Sequence, residues 1–287
     1  MKRIFLDEEI SESLTITGRD AHHLAYSLRA KKGDKIIAVD KFGNSATLEL
    51  TDFDKETIQA KCVGEITKIK PVEKIKILHT ICNSNGAEKN FETVEKIFSK
   101  HITLAECLPK QNKFDFIVEK ATELGADKFS PLISERTIAR PDSQKSETKI
   151  ARWKKIAKEA AEQSARDTLP EIENILELSS WLKKIAPTLG HFVEKDGKKI
   201  FDCKGAFLLF CYEEEQEQKI QEILGEYKFA DCDKDIIILI GPEGGFSETE
   251  ANEIKSVGGV SVSLGKRILK TDTAALSTLA AVQYELS

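Results

Sequence analysis

The stretch Ile236-Ile-Ile-Leu-Ile-Gly-Pro-Glu-Gly-Gly-Phe-Ser247 decides the fold, because it reads as a buried strand that breaks at glycine and re-enters a helix. Five apolar residues run unbroken from Ile236 to Ile240, the pattern of a central parallel strand covered on both faces. Gly241, Gly244 and Gly245 let main chain approach a ligand closely, and Ser247 with Glu250 three residues on forms a capping-box pattern that starts a helix. A second stretch, Val262-Ser-Leu-Gly-Lys-Arg-Ile-Leu-Lys-Thr-Asp-Thr-Ala-Ala-Leu276, repeats the plan: Gly265 ends a strand, and Thr271 or Asp272 starts the last helix. Ligands of open α/β sheets bind beyond the carboxyl ends of the strands, so two such loops in succession point to one shared pocket.

Glycine loops before helices commonly hold phosphate, but the details here do not fit. A nucleotide P-loop needs Gly-Lys-Ser/Thr after its spacer, whereas Phe246 and Ser247 stand in those places, and no G-x-G-x-x-G opens a helix. Glycine backbone is instead paired with the apolar Phe246, Leu264, Ile268 and Leu269, which suits a ligand whose adenine ring is held by main-chain groups. Taken singly, either loop could simply terminate a strand.

Upstream, residues 1 to about 70 alternate β-prone runs with turns, as in 35–39, 46–50 and 57–63 with a turn at Phe42-Gly-Asn44, and predict a small all-β module. Beyond Ile102, strands near 102–108, 128–133, 171–175, 207–211, 236–240 and 260–264 alternate with helices, the pattern of an α/β domain with a largely parallel sheet. A helix over 147–166 places Trp153, Ile156, Ala157, Ala160, Ala161 and Ser164 on one stripe and Lys154, Lys155 and Lys158 opposite; a plain amphipathic helix is favoured over a phosphate-facing one. The divisions predicted are 1–72, a linker or insertion at 73–101, and 102–287, with Phe91, Val94, Ile97 and Phe98 of the middle segment suited to a short helix.

The net charge of −5 is unusual for a nucleic-acid binder. Local charge matters more than the sum: acids gather at Asp7-Glu-Glu9 and Glu213-Glu-Glu215, bases at Arg29-Ala-Lys-Lys-Gly-Asp-Lys35 and Arg152-Trp-Lys-Lys155. Six cysteines, at 62, 82, 107, 203, 211 and 232, lack C-x-x-C spacing and neighbouring histidines, so reduced thiols and no metal are expected. No apolar run approaches the ~20 residues of a membrane span, and Lys2 and Arg3 are followed by acids, unlike a signal peptide; a cytoplasmic location is expected.

Together, "LIGPEGGFS" and "LGKRILKTDTAAL" resemble the C-terminal signature of the ribosomal RNA uridine-N3 methyltransferases of the RsmE type, in the knotted SPOUT class. "MKRIF" and "AHHLAYSLRAKKGD" (21–34) are similar to that family's N-terminal RNA-binding domain, and "EKATELGADKFSPLISERT" (119–137) and "RWKKIAKEAAEQSARDTLPEI" (152–172) to its central helices. The resemblance spans nearly the whole chain, though 75–101 is longer than the family's link. It implies a PUA-like β-barrel followed by an α/β trefoil-knot domain, S-adenosylmethionine as methyl donor, 16S rRNA in the small subunit or a late assembly intermediate as substrate, and a homodimer. Related knotted enzymes acting on tRNA or ribose 2′-OH, and a non-catalytic RNA-binding assembly factor, are the alternatives.

Position by position, the resemblance implies cofactor contacts at Leu239, Ile240, Gly241, Pro242, Glu243, Gly244, Leu264, Gly265, Ile268, Leu269, Thr273 and Ala274, with the loop after Phe207-Leu-Leu-Phe-Cys211 as a third wall. Methylating uridine N3 requires loss of an imide proton, for which Asp272 is the candidate base and Arg267 and Lys270 the cationic stabilisers of the uracil oxygens, with Glu243 a further acid. Asp272 equally suits a helix N-terminus. Lys270 replaces the family's arginine and Asp272 its glutamate, keeping charge but not reach. Arg3, His22, His23, Arg29, Lys31 and Lys32 are RNA-contact candidates; Arg136 and Arg166 either bind RNA or brace the domain.

Overall fold

The computed structural model describes residues 2–54, 57–68, 101–190, 205–226 and 235–286, together with the backbone of four strands at 75–82, 88–95, 192–195 and 198–201. The chain divides into two units, Met1–Phe5 with His101–Ser287, and Leu6–Lys100.

Strand β1 (Lys2–Leu6) precedes β2 (Ser13–Thr17), a short helix α1 (Gly18–His22) that widens into one π turn over His23–Ser27, β3 (Lys35–Asp40), β4 (Asn44–Phe53), β5 (Thr57–Cys62) and β6 (Thr67–Lys68). In the smaller unit β3, β4, β5 and β2 pair antiparallel in that order, and β6 adds to β4. Alternate residues Ile36, Ala38, Leu48, Leu50, Ile58 and Ala60 are buried, which is the period-two pattern of a sheet with one covered face. The turn expected at Phe42-Gly-Asn44 forms with Gly43 at φ 78° and is organised by the buried Asp40. Its carboxylate accepts the N–H groups of Ile10 (3.1 Å), Phe42 (2.9 Å) and Asn44 (2.9 Å) and the Asn44 side-chain amide (2.8 Å). Burial pushes this carboxyl up, but the bonds from Asn44, Ile10 and Phe42 outweigh it and hold the group below its ordinary value.

Strands β7 (Ile75–Cys82) and β8 (Glu88–Glu95) form an antiparallel pair, with Phe91 opposite His79. The helix expected through Phe91, Val94, Ile97 and Phe98 is therefore corrected as far as residue 95; Ile97 and Phe98 lie outside the described residues. The β-prone run at 75–82 offers a pairing partner, and pairing overrides local helical spacing.

The larger unit continues with β9 (Ile102–Cys107), α2 (Lys113–Glu123), β10 (Lys128–Ile133), α3 (Ser143–Gln163), β11 (Glu171–Ile172), β12 (Leu176–Glu177), α4 (Leu178–Ile185), an antiparallel hairpin β13 (Phe192–Lys195) and β14 (Lys198–Phe201), β15 (Phe207–Cys211), α5 (Ile220–Glu226), β16 (Ile236–Ile240), α6 (Glu248–Ser256), β17 (Val260–Val262) and α7 (Thr271–Leu286). The main sheet runs β11-β10-β9-β16-β15-β17 with parallel pairing throughout, and β12 also pairs with β10. One face packs Leu104, Phe207, Leu209 and Ile238 beneath Phe114, Ile117, Trp153 and Leu279; the other packs Ala105, Leu208, Phe210 and Leu239 beneath Trp181, Leu182, Ala251 and Ile254. Covering on both sides is what the unbroken 236–240 run requires.

Helix α3 begins at Ser143, four residues before the predicted start, because Asp142 accepts the N–H of Lys145 (2.9 Å) and caps it. It ends at Gln163, so Ser164 is the C-cap and is exposed, not part of the buried stripe of Trp153, Ala157, Ala160 and Ala161. Trp153 sits edge-on to Phe114 and donates its indole N–H to Asp115 (2.9 Å), while Arg152 pairs with the same carboxylate. This helix packs by its apolar stripe, as an amphipathic helix does.

Asp40→Ala leaves buried N–H groups without acceptors and should cost about 2–3 kcal/mol in denaturant unfolding. Because folding lowers this pKa, the stabilisation is present above the unfolded value of ~3.9 and fades as pH falls through the lower folded value. A variant that unfolds like wild type at pH 7 would remove Asp40 from this role.

Candidate active site

Three loops leave the carboxyl ends of β16, β17 and β15, which lie side by side with Phe210 opposite Leu239 and Cys211 opposite Val262. In the first loop the N–H of Gly245, at φ 66°, donates to the carbonyl of Pro242 (2.9 Å), making a tight turn. The predicted capping box is complete: Ser247 accepts from the Glu250 N–H, and Glu250 accepts from the Ser247 N–H at 2.9 Å. The other Glu250 oxygen accepts the N–H of Glu135 (2.8 Å). Arg136 beside it donates to the carbonyls of Gly244 (2.9 Å) and Phe246 (3.3 Å). The segment after β10 thus holds the glycine loop from both ends. Gly244 must stay small, since a Cβ there would lie 3.3 Å from that of Arg136.

Phe246, read from sequence as part of an apolar ligand wall, is buried against Phe210 and lies beneath Gly241, where a Cβ would meet its ring at 3.2 Å. It supports the loop from within the core. In the second loop the strand ends at Val262, so Leu264 and Gly265 already belong to the connection. Gly265 adopts φ 107°, a left-handed conformation that disfavours any side chain, and the space a Cβ would occupy is open. Leu264 and Leu269 pack partly on the core, whereas Ile268 is 81% exposed. The third loop is tied to the second: Tyr212 N–H donates to Val262, Ser263 N–H to Gln218, and Ser261 Oγ to Glu215. Glu213 also approaches the first loop, its Oε2 3.7 Å from where a Gly245 Cβ would lie. The sequence points to this third wall without identifying residues in it.

Of the charged candidates, Arg267 and Lys270 are exposed on the second loop, and the Lys270 carbonyl accepts the Ala274 N–H (2.8 Å). Asp272 is half-buried in the first turn of α7 and accepts the adjacent Thr273 N–H (3.1 Å). Glu243 accepts from the Lys110 N–H (3.0 Å) and from Lys113 Nζ (3.2 Å). Burial raises its pKa, but these bonds and its own N–H outweigh that and keep it ionised below the ordinary carboxylate value. Thr273 is exposed on α7, while Ala274 is buried, as are Leu239 and Ile240. Those three meet the neighbourhood of the loops from inside the fold. Glu106, one residue before the end of β9, is fully buried close to Glu243 and Asp272. Its signal in the sequence is one acid within the apolar run Leu104-Ala-Glu-Cys-Leu108.

Two of the arginines expected to reach RNA, Arg3 and Arg166, are mostly buried. Arg166, 12% exposed, donates to the carbonyls of Thr122 (2.9 Å) and Ala126 (2.7 Å) and pairs with Asp127 (2.6 Å). Arg3, 13% exposed, donates to the Arg166 carbonyl and pairs with Asp167. A bracing role fits the bonds that Arg3, Arg136 and Arg166 make. His22 is exposed with its ring 4.4 Å from that of Tyr26, and His23 is half-buried. Arg29 (φ 48°), Lys31 and Lys32 are exposed around the turn before β3, Lys32 only 3.5 Å from the equally exposed Asp52.

The family described as "RNA methyltransferase domain" matches residues 96–283, and the "RNA methyltransferase PUA domain" matches residues 16–71. Ribosomal RNA small subunit methyltransferase E of Bacillus subtilis (strain 168) is 30% identical over 99% of this chain and 97% of its own. The protein of the same name from Synechocystis sp. is 31% identical over 96% and 74%. A crystal structure of the Neisseria gonorrhoeae enzyme of that name bound to S-adenosyl methionine superposes with a TM-score of 0.71 at 26% identity, covering 99% of this chain and 97% of that one. With both family matches in sequence order and full-length relatives at this identity, the chain belongs to the ribosomal RNA small subunit methyltransferase E family of RNA methyltransferases.

Proposed function

We propose that the chain transfers a methyl group from S-adenosylmethionine to N3 of a uridine in small-subunit ribosomal RNA. The observation that carries this reading is the meeting of three strand-to-helix loops at one end of a parallel sheet, with glycine main chain and charged side chains side by side. The residues present suit an adenosine-bearing donor: Gly265 leaves main chain open, Leu264 and Leu269 supply apolar surface, and Glu213 stands beside Gly245. When bound, that donor supplies an electrophilic methyl on a sulfonium.

The protein's share is to hold the uracil in line and manage its imide proton. Asp272 is proposed as the base, at the start of α7, and Arg267 and Lys270, exposed on the adjoining loop, as donors to the uracil oxygens. Glu243 is less suited to take a proton, because Lys110 and Lys113 already occupy its carboxylate. Arg29, Lys31 and Lys32 are proposed to bind RNA phosphates. Residue roles, a trefoil knot, a homodimer, a cytoplasmic location and a small subunit or late assembly intermediate as substrate all follow the family resemblance. The knot is supported by the chain path: β17 lands beyond β15, and α7 returns to pack on β16, β9 and α2. No described helix is long and apolar enough to cross a membrane.

Mapping the modified nucleotide in RNA from a deletion strain, with and without the restored gene, tests the function. Restoration should return one N3-methyluridine to the small-subunit RNA; a modified ribose or a tRNA target would overturn the assignment. In the same assay Asp272→Asn and Lys270→Met should bind donor nearly normally yet lose ~10²-fold or more in methyl transfer. Full activity of Asp272→Asn at neutral pH would reduce the residue to a helix-terminal acid.

Calorimetry should show binding of S-adenosylmethionine in the presence of a chelator. Arg136→Ala frees two carbonyl contacts of the glycine loop and should weaken that binding about threefold to tenfold, less than a buried charged bond because the side chain is exposed. Unchanged affinity would mean that the loop holds its shape without the guanidinium.

Reversing charge at Arg29, Lys31 and Lys32 together should weaken RNA binding and flatten its salt dependence, leaving donor affinity alone. Equal RNA affinity at all salt concentrations would make the cluster ordinary solvated surface.

A further inference from the structure

Glu106 is fully buried, and among the described residues neither of its carboxyl oxygens has a hydrogen-bond partner. It stands opposite Ile240 in the parallel register of β9 and β16, at the end of the sheet where the glycine loops begin. Side chains alternate along a strand, so Glu106 shares the face of Ile102 and Leu104, the face covered by α7. The charged groups around it are acids: Asp272 from α7 and Glu243 from the first glycine loop. Cys107 of its own strand and Cys211 of β15, which contacts Thr278 of α7 at 3.2 Å, also lie near it. No cation stands among these neighbours, and Lys113 is already held by Glu243.

Burial, with Asp272 and Glu243 adding to it, pushes the Glu106 carboxyl well above the ordinary carboxylate range. A buried acid without partners destabilises a fold, and an alanine or valine would fill this strand position at less cost. Its place at the carboxyl end of the sheet, opposite Ile240 and close to Glu243 of the first glycine loop and Asp272 of α7, supplies a reason for keeping it. We propose that Glu106 is the group that meets the sulfonium of the methyl donor.

This rests on the assignment of the loops to S-adenosylmethionine. In the ligand-free protein burial favours the protonated form of this carboxyl. A cation brought against it favours the ionised form, so its proton passes to solvent as the donor binds. Methyl transfer leaves an uncharged thioether, the carboxylate takes a proton back, and the attraction that held the donor is gone. Glu106 therefore discriminates donor from spent product and favours product release.

Calorimetry on the full chain at pH 7, with S-adenosylmethionine and S-adenosylhomocysteine each titrated in two buffers of different ionisation enthalpy, tests this directly. Both ligands carry the α-ammonium group and only the first carries a sulfonium. The donor should release up to about one proton more than the product does. Glu106→Gln should abolish that difference and reduce the preference for donor over product about tenfold. Because folding raises the Glu106 pKa, its neutral form stabilises the fold below the unfolded value of ~4.3, and that contribution is lost as pH rises. Glu106→Gln should therefore melt higher than wild type at pH 7, with the gap closing towards pH ~4. Equal proton release for the two ligands overturns the proposal, as does an unchanged donor-to-product ratio in the variant. Failure of both ligands to bind overturns the pocket assignment itself. The two-buffer comparison on wild type stands even if the variant does not fold.

Discussion

The double-sided burial of Ile236–Ile240 is the constraint on which the larger unit depends. A strand with no polar side chain has no edge to offer solvent and must lie between neighbours with helices above and below. Placed between β9 and β15, it forces both into the interior and puts their carboxyl ends level with its own. The chain then has to leave this crowded end through turns that tolerate close packing, which accounts for Gly241 over the Phe246 ring and Gly244 against Arg136.

Charge in this protein is sorted by burial more than by sign. Arg3, Arg136 and Arg166 donate to carbonyls that end helices or turn loops, groups that would otherwise lack partners. Acids follow the same rule: Asp40, Glu215, Glu243 and Glu250 accept main-chain N–H groups. A negative total therefore says little about affinity for RNA, because many of the charges are committed to the chain's own backbone and only the remainder faces a polyanion.

Much of this architecture is legible in the sequence because hydrophobic period and cap chemistry are local. The run at 236–240, the Ser247/Glu250 pair and the stripe from Trp153 to Ala161 each specify their element without outside help. What is not legible is partner choice. Nothing local tells that Arg166 will find Thr122, Ala126 and Asp127, nor that 88–95 will pair with 75–82 in place of coiling. Phe246 illustrates the same limit within the site: an aromatic residue beside glycines suits a ligand wall or a core equally, and only the position of Phe210 decides. Glu106 is the converse case, a polar residue whose misfit in an apolar strand is visible but whose neighbours come from segments more than a hundred residues later.

Helix α7 follows in sequence every strand of the sheet that it covers. Ala275, Thr278 and Leu279 are fully buried, Gln283 reaches back to the Gly125 carbonyl, and Asp272 opens the same helix. During synthesis, β9, β10, β15 and β16 all emerge while the face that α7 covers is still bare. Their apolar side chains stay open to solvent or to non-native collapse until α7 has been made. Any chain shortened before Thr271 would leave the Leu104 and Ile238 face of the sheet without the cover that Ala275 and Leu279 give it.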